Sequence, residues 1–298
     1  MTEAVKIRAS RRYGTLSPLR YPGGKAALAG LFADLISDLG IVNATYVEPY
    51  AGGAGAGIAL LREDLIEHLV VNDFDPAVHA FWQSVTTRTA DFVDRIASAP
   101  LTIDEWLRQR EIYRAARTAD PLELGFAFFY LNRTNRSGVL TGGVIGGLAQ
   151  TGNYKIDARF NRDTLIDRVS SIGALRDRIT VLSRDGRSVI RDYSERSNAF
   201  MYIDPPYVRA GSRLYLNSFE HRDHAALADI VNAIQSAHWL MTYDVAPLIE
   251  KLYAAHFVCR YELNYSARYY GAADELLIAS PDVAASLMKG LARVPASA

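Results

Sequence analysis

Between residues 28 and 80 the chain alternates between two hydrophobic periods, and this limits its fold more than any other feature. Leu28 to Leu39 repeats its apolar residues at helical spacing, and Thr45-Tyr46-Val47-Glu48-Pro49 is a short extended run. A glycine-rich turn opens a second helical pattern from Gly52 to Leu61, and Leu69-Val70-Val71-Asn72-Asp73 is extended again. Short strands separated by helices cross over rather than form hairpins, so the pattern predicts an α/β fold with a doubly wound, mostly parallel sheet. The same grammar resumes with Ile179 to Leu182, Asp185 to Asp192, Phe200 to Asp204, His224 to Ala237, Trp239 to Tyr243 and Leu276 to Ala279. From about Ala77 to Phe160 it is interrupted. Helical periodicity there covers Ile103 to Ala116 and Leu122 to Leu131, followed by a polar, glycine-rich tract from Asn132 to Asn153. With 298 residues, 49% of them apolar, there is material for one large domain carrying a smaller one. The expected division is 1–76 and 161–298 for the main domain, with 77–160 as a mainly helical insertion.

At the exit of the apolar run Ala199 to Ile203 stand Asp204-Pro205-Pro206-Tyr207. Two prolines in succession fix two φ angles and remove two backbone donors, so the strand stops there and the carbonyls of Asp204 and Pro205 lose their ladder partners. A carboxylate, a rigidly aimed carbonyl and an aromatic ring suit a planar exocyclic amine, which needs two acceptors and a face to stack on.

The segment Glu48-Pro49-Tyr50-Ala51-Gly52-Gly53-Ala54-Gly55-Ala56-Gly57 follows a strand and opens a helix, whose N-terminal amides face any ligand that approaches the glycines. Asp73 ends the next strand, at the distance where an acid meets ribose hydroxyls. A nucleoside-containing cofactor is the expectation. The glycines do not fit the G-x-G-x-x-G of a nicotinamide enzyme, and Asp-Pro-Pro-Tyr has no role in hydride transfer, whereas transfer of a methyl group to an amine uses both halves.

Other features narrow the class. Lys+Arg and Asp+Glu are 33 each, so net charge does not advertise a polyanionic partner. The basic residues are clustered, with Lys6, Arg8, Arg11, Arg12, Arg20 and Lys25 set against Glu3 alone in the first 25 positions. The single cysteine, Cys259, excludes an internal disulfide and lies in an apolar, strand-like context without an activating base. Methylation at cytosine carbon 5, which needs a thiolate, is therefore not expected. No apolar stretch approaches the ~20 residues that span a bilayer. Pro18 and Gly23-Gly24 follow the basic N-terminus where a signal core would be apolar, so a cytoplasmic protein is expected. His221 and His224 have metal-compatible spacing but no third ligand nearby, and no metal is expected. Tyr261, Tyr265, Tyr269 and Tyr270 read as sheet packing.

Leu19-Arg20-Tyr21-Pro22-Gly23-Gly24-Lys25 completes a motif order. Together with the cofactor glycines, Asp73, Asn132-Arg133 and the later Asp-Pro-Pro-Tyr, it resembles the Dam-like family of DNA adenine-N6 methyltransferases over about residues 17 to 280. The resemblance implies a Rossmann-like class I methyltransferase fold and S-adenosyl-L-methionine as cofactor. It places Tyr21 and Lys25 on the cofactor, lines the pocket with Glu48, Pro49, Tyr50 and Gly52, and gives the ribose to Asp73 and the adenine to Asp185. Asp204 borders both the cofactor and the amine. Phe128-Phe129-Tyr130-Leu131-Asn132-Arg133 resembles the start of the family's DNA-contacting loop, which makes 77–160 a target-recognition insertion with Asn132, Arg133, Asn135 and Arg136 as DNA-binding residues. Two departures stand out: Ala54 occupies a family glycine position, and Thr134-Asn135-Arg136-Ser137-Gly138 replaces the loop of enzymes reading GATC.

The implied reaction is site-specific methylation of the N6 amine of an adenine flipped out of duplex DNA, with Asp204, Pro205, Pro206 and Tyr207 as the catalytic set. Double-stranded DNA is the implied partner, in a bacterial or phage-encoded enzyme of the restriction-modification type with room for a partner restriction endonuclease. The same chemistry on cytosine N4, an RNA base or a glutamine side chain is the alternative.

Overall fold

The computed structural model describes residues 5–7, 16–20, 25–116, 119–208, 219–263 and 275–292. Eight strands form one sheet among these residues: β1 (Val5–Ile7), β2 (Thr45–Glu48), β3 (His68–Asn72), β4 (Ile179–Leu182), β5 (Ala199–Ile203), β6 (His238–Asp244), β7 (Phe257–Leu263) and β8 (Glu275–Ala279). Their order is β1-β7-β8-β6-β5-β2-β3-β4, and only β8 runs antiparallel to its neighbours. This is the doubly wound, mostly parallel, Rossmann-like sheet that the alternation of periods predicts. The winding reverses between β2 and β5, which pair with each other. In open α/β sheets a crevice opens at such a reversal, outside the carboxyl ends of the strands.

Alternation along each strand supplies a core on both faces. Tyr46, Phe200 and Tyr202 pack on one side with Phe32 and Leu69, while Val47, Met201 and Ile203 pack on the other with Val70, Leu227 and Trp239. Strands buried on both faces read as continuous apolar runs, as β5 does. The expected bounds hold closely for β2 to β6 and β8. Cys259 lies in β7, where burial pushes its thiol up to about 11, so it stays protonated.

Eleven α-helices are described. The first eight are α1 (Ala29–Asp38), α2 (Gly55–Arg62), α3 (Pro76–Thr87), α4 (Thr89–Ser98), α5 (Ile103–Arg114), α6 (Pro121–Thr134), α7 (Arg162–Ala174) and α8 (Gly186–Tyr193). The last three are α9 (His221–Asn232), α10 (Pro247–Leu252) and α11 (Pro281–Ala292). Aspartate caps start α3 and α6 before a proline: Asp75 accepts from the Ala77 amide at 2.8 Å and Asp120 from the Leu122 amide at 2.9 Å. The prolines lose nothing there, because first-turn amides have no helical partner.

Helices α3 to α7 do not stand apart from the sheet. Phe81, Phe92, Phe126, Phe129 and Phe160 join with ring centroids 5.5–6.1 Å apart, and this cluster is continuous with the core over β2 and β3. The boundary expected after residue 76 falls inside α3, whose Trp82 donates from Nε1 to the Gly52 carbonyl at 2.9 Å. The first helix of the interrupted region thus braces the glycine turn.

Phe128 to Arg133, which the resemblance sets at the start of a DNA-contacting loop, fall within the helix that the periodicity of Leu122 to Leu131 predicts. These residues form the second half of α6, with Phe128, Phe129, Tyr130 and Leu131 all at most 1% exposed. Helix α6 packs mainly against α3 and α5, which keeps this aromatic run in the core.

The α3–α6 crossing is close enough to be tested. A Cβ on Gly125 would sit 2.6 Å from the Ala80 carbonyl oxygen and 2.8 Å from the Phe81 nitrogen. Alanine is the better helix former by about 1 kcal/mol, yet main chain cannot yield as a flexible side chain can. Gly125→Ala is expected to destabilise the protein by about 1–3 kcal/mol in chemical denaturation, and an unchanged or raised midpoint would contradict the packing.

Candidate active site

The carboxyl ends of β2, β3, β4 and β5 deliver Glu48, Asp73, Asp185 and Asp204 to one edge of the sheet. The loops there are held by Asn72, fully buried at the end of β3. Its amide nitrogen donates to the carbonyls of Pro49 at 2.7 Å and Arg184 at 2.9 Å, and its oxygen accepts from the Arg184 amide at 2.9 Å. Sequence reading treated Asn72 only as a strand residue. A polar residue closing an apolar run, directly before an acid, was the available signal.

The glycine turn leads into α2 through Ala54, whose φ of +42° and ψ of 34° place it in the left-handed region. Alanine is strained there by about 1–2 kcal/mol relative to its usual conformations, and such strain gathers at functional sites. Asp73 holds the turn by accepting from the Gly52 amide at 2.9 Å, while its other oxygen accepts from the Asp75 amide. Burial pushes Asp73 up to about 6. Glu48 accepts from the Gly57 amide at 3.0 Å, and burial pushes it up to about 8. Tyr50 lies against the start of α8: a Cβ on Gly186 would fall 2.5 Å from its ring, and its hydroxyl is buried without a partner. Asp185 caps α8 through the Arg187 amide at 2.8 Å and is gripped by the Arg187 guanidinium, which holds its carboxyl below the usual range. Pro49 contributes its carbonyl to Asn72.

At the end of β5, Asp204 is the centre of an ordered chain of donors. Thr242 on β6 donates to Asp204 Oδ1 at 2.7 Å, and Tyr202 OH lies 2.7 Å from the Thr242 hydroxyl as its donor. Tyr207 donates to the same oxygen at 3.0 Å and accepts from Lys25 Nζ at 2.9 Å. Lys25 also pairs with Glu275 at 2.5 Å, and Tyr261 donates to that carboxylate. Asp204 Oδ2 makes no hydrogen bond among the described residues. Burial raises the Asp204 carboxyl, with Lys25 opposing the shift.

Lys25 therefore sits beside the Asp204–Tyr207 tetrapeptide, braced by Glu275. Glu275, Thr242 and Tyr202 were not singled out from sequence, and Tyr261 was read only as sheet packing. Thr242 interrupts the apolar strand Trp239 to Tyr243 and could have been noticed, but Glu275 meets its partner from 250 positions away. Tyr21 lies outside the described residues, as do Tyr265, Tyr269 and Tyr270. His224 is buried and within 2.7 Å of the Tyr243 hydroxyl through Nδ1.

The four positions expected on DNA separate sharply. Asn132 is 2% exposed, with its oxygen on the Arg20 amide at 2.7 Å and its nitrogen on the carbonyls of Arg20 and Gly138. Asn135 is fully buried, accepting from Trp106 Nε1 at 2.7 Å and donating to the carbonyls of Val139 and Leu140. Both amides are spent inside the protein, so the expectation that they read bases is corrected: they pin α6 to the Arg20 segment, to Trp106 and to the following loop. Arg136 is exposed and lines a cleft of about 320 Å³ with Trp106, Leu107, Arg110, Val144 and Leu148. Arg133 is half-buried beside other arginines.

Three raised carboxyls at one crevice fit a ligand that brings hydroxyl donors and positive charge, as S-adenosylmethionine does, because buried acids without such partners hold their protons. Glu48 gives this a stability signature. Its folded value, about 8, exceeds the ordinary 4.5, so its contribution is fully present below pH 4.5 and is lost as pH rises through 8. Glutamine keeps the acceptor and never ionises. The melting temperature of Glu48→Gln relative to wild type should rise steadily from pH 5 to about pH 9, measured without ligand; a constant difference would refute the buried, protonated Glu48.

Among solved structures, the rRNA methyltransferase aviRa from Streptomyces viridochromogenes is similar over 88% of this chain and 88% of its own, at 17% identity and a TM-score of 0.37, a loose likeness that carries no argument about substrate. Residues 21–266 match the D12 class N6 adenine-specific DNA methyltransferases. That span runs through the glycine turn, Asp73, α6 and the Asp204 tetrapeptide, and the chain belongs to this family of adenine-N6 DNA methyltransferases.

Proposed function

We propose that the β2–β5 crevice binds S-adenosylmethionine beside Asp204 and that Asp204 Oδ2 and the Pro205 carbonyl receive the N6 amine of an adenine turned out of duplex DNA. The observation that carries this reading is the asymmetry of Asp204. One carboxylate oxygen is fixed by Thr242 and Tyr207, while the other is open and next to a carbonyl that a proline pair has stripped of ladder partners.

Glu48, Asp73, Tyr50 and Asp185 would hold the cofactor, which supplies an electrophilic methyl group on a positively charged sulfur. Asp73 would accept the ribose hydroxyls, in ionised form once those donors lower its proton affinity. Asp204 and Pro205 would draw the amine hydrogens toward themselves, freeing the nitrogen lone pair for attack. Thr242 and Tyr202 prevent the Asp204 carboxylate from rotating, and Pro206 fixes the turn that aims Tyr207. The ring of Tyr207, 6.3 Å from that of Tyr243, supplies the aromatic wall for the flipped base. Residues 77–160 would meet the DNA, with exposed Arg136 in the cleft beside Trp106 as the residue best placed to reach a base edge.

Asp204→Ala should reduce methyl transfer by about 100-fold or more, since misplacing a reacting group costs about that much, while cofactor binding and the melting transition persist. A folded variant that keeps a tenth of wild-type activity would contradict the role given to Asp204. The substrate is tested by incubation with labelled S-adenosylmethionine and duplex DNA, digestion and identification of the modified nucleoside. N6-methyladenine is expected, and label in N4-methylcytosine or only in RNA would overturn the assignment.

A further inference from the structure

The charges that bear on Arg133 are all basic. Its guanidinium lies at the end of α6, half-buried, with Nε enclosed and without a hydrogen-bond partner among the described residues. The charges facing it are those of Arg20, Arg168 and Arg159, and together with burial they pull its value down to about 10. These arginines come from four segments: the irregular stretch 16–20, α6, the short 3-10 helix Ile156–Arg159 and α7. None of the ion pairs among the described residues uses Arg133, Arg159 or Arg168, although Arg88, Arg108, Arg114, Arg178, Arg184 and Arg187 all have carboxylate partners.

The cluster is also held in place. Arg168 Nη1 donates to the Ser17 carbonyl at 3.0 Å and Arg20 Nη1 to the Asn135 carbonyl at 3.3 Å. Asn132 ties Arg20 through both its amide and its carbonyl. The local chain thus works to keep like charges together, against their repulsion. A purely structural arginine would be expected to find a carboxylate or spend its donors on carbonyls, and Arg133 Nε does neither.

We infer that Arg20, Arg133, Arg159 and Arg168 form a phosphodiester-binding site that grips the DNA backbone beside the catalytic crevice. The guanidinium fork matches phosphate oxygens two at a time, and several forks around one point suit an anion rather than a base edge, which would present donors as well as acceptors. Such contacts position the duplex without reading its sequence. The inference rests on DNA being the substrate and adds where its backbone is held.

Salt dependence of duplex binding tests it, by fluorescence anisotropy on Arg133→Gln and on Arg159→Gln, the latter at an exposed position where folding is not at risk. Each phosphate contact contributes about 0.9 to the slope of log K against log salt. Each variant should lower the slope by about that amount and weaken binding about 5-fold at 0.15 M salt, equally for substrate and unrelated duplexes, with S-adenosylmethionine affinity unchanged. Slopes that match wild type in both variants would overturn the site, as would a loss confined to one sequence, which marks base reading. Saturable, arginine-dependent binding of inorganic phosphate at millimolar concentration, with duplex slopes unaltered, would make it a free-anion pocket and also overturn the inference. Failure of the wild type to bind any duplex in a salt-dependent way would instead sink the DNA reading itself.

Discussion

The side chain of Asn72 is the interaction on which the rest of the site depends. It spans the gap between the loops leaving β2 and β4 from a fully buried position at the end of β3, satisfying two carbonyls and one amide that have no ladder partners. Leaving such groups unpaired costs about 1–3 kcal/mol each, so no apolar residue of similar size could take its place. Glu48, the glycine turn, Asp73 and Asp185 all hang from these three loops. Their relative positions are set by one amide more than by any contact among themselves.

Around that fixed frame the protein tolerates unfavourable electrostatics of both signs. The crevice gathers Glu48, Asp73 and Asp204, all raised by burial, and the surroundings of Arg133 gather four cations. A formal net charge of zero conceals this separation, because it averages an acid-lined crevice with a basic surface. Ala54 adds backbone strain at the same edge. Stability given up at a site is a common accompaniment of preorganisation.

Much of this was legible in the sequence because it is local. Period changes located β2 to β6, the proline pair ended β5 just before Asp204, and the glycines marked the turn that opens α2. The parts that escaped notice depend on distant partners or on enclosure. Helix α3 is apolar almost all round, so its face could not be read from period, although Asp75-Pro76 marks its start. Asn132 and Asn135 are polar side chains of the type that meets adenine, and nothing nearby in sequence reveals that Arg20 and Trp106 already occupy them. Thr242 and Glu275 became meaningful only when β6 was placed beside β5 and β8 beside β6.

The tie between Lys25 and Glu275 has a temporal consequence. It joins residues 250 positions apart, and it needs β8 in place between β6 and β7. Closing so long a loop is slow, and contacts of this range form late. The glycine turn, Asp73 and Asp204 need only the β2 to β5 part of the sheet, whereas the brace behind Tyr207 also needs β8. The geometry of the Asp204–Tyr207 segment is thereby tied to completion of the whole sheet, antiparallel strand included.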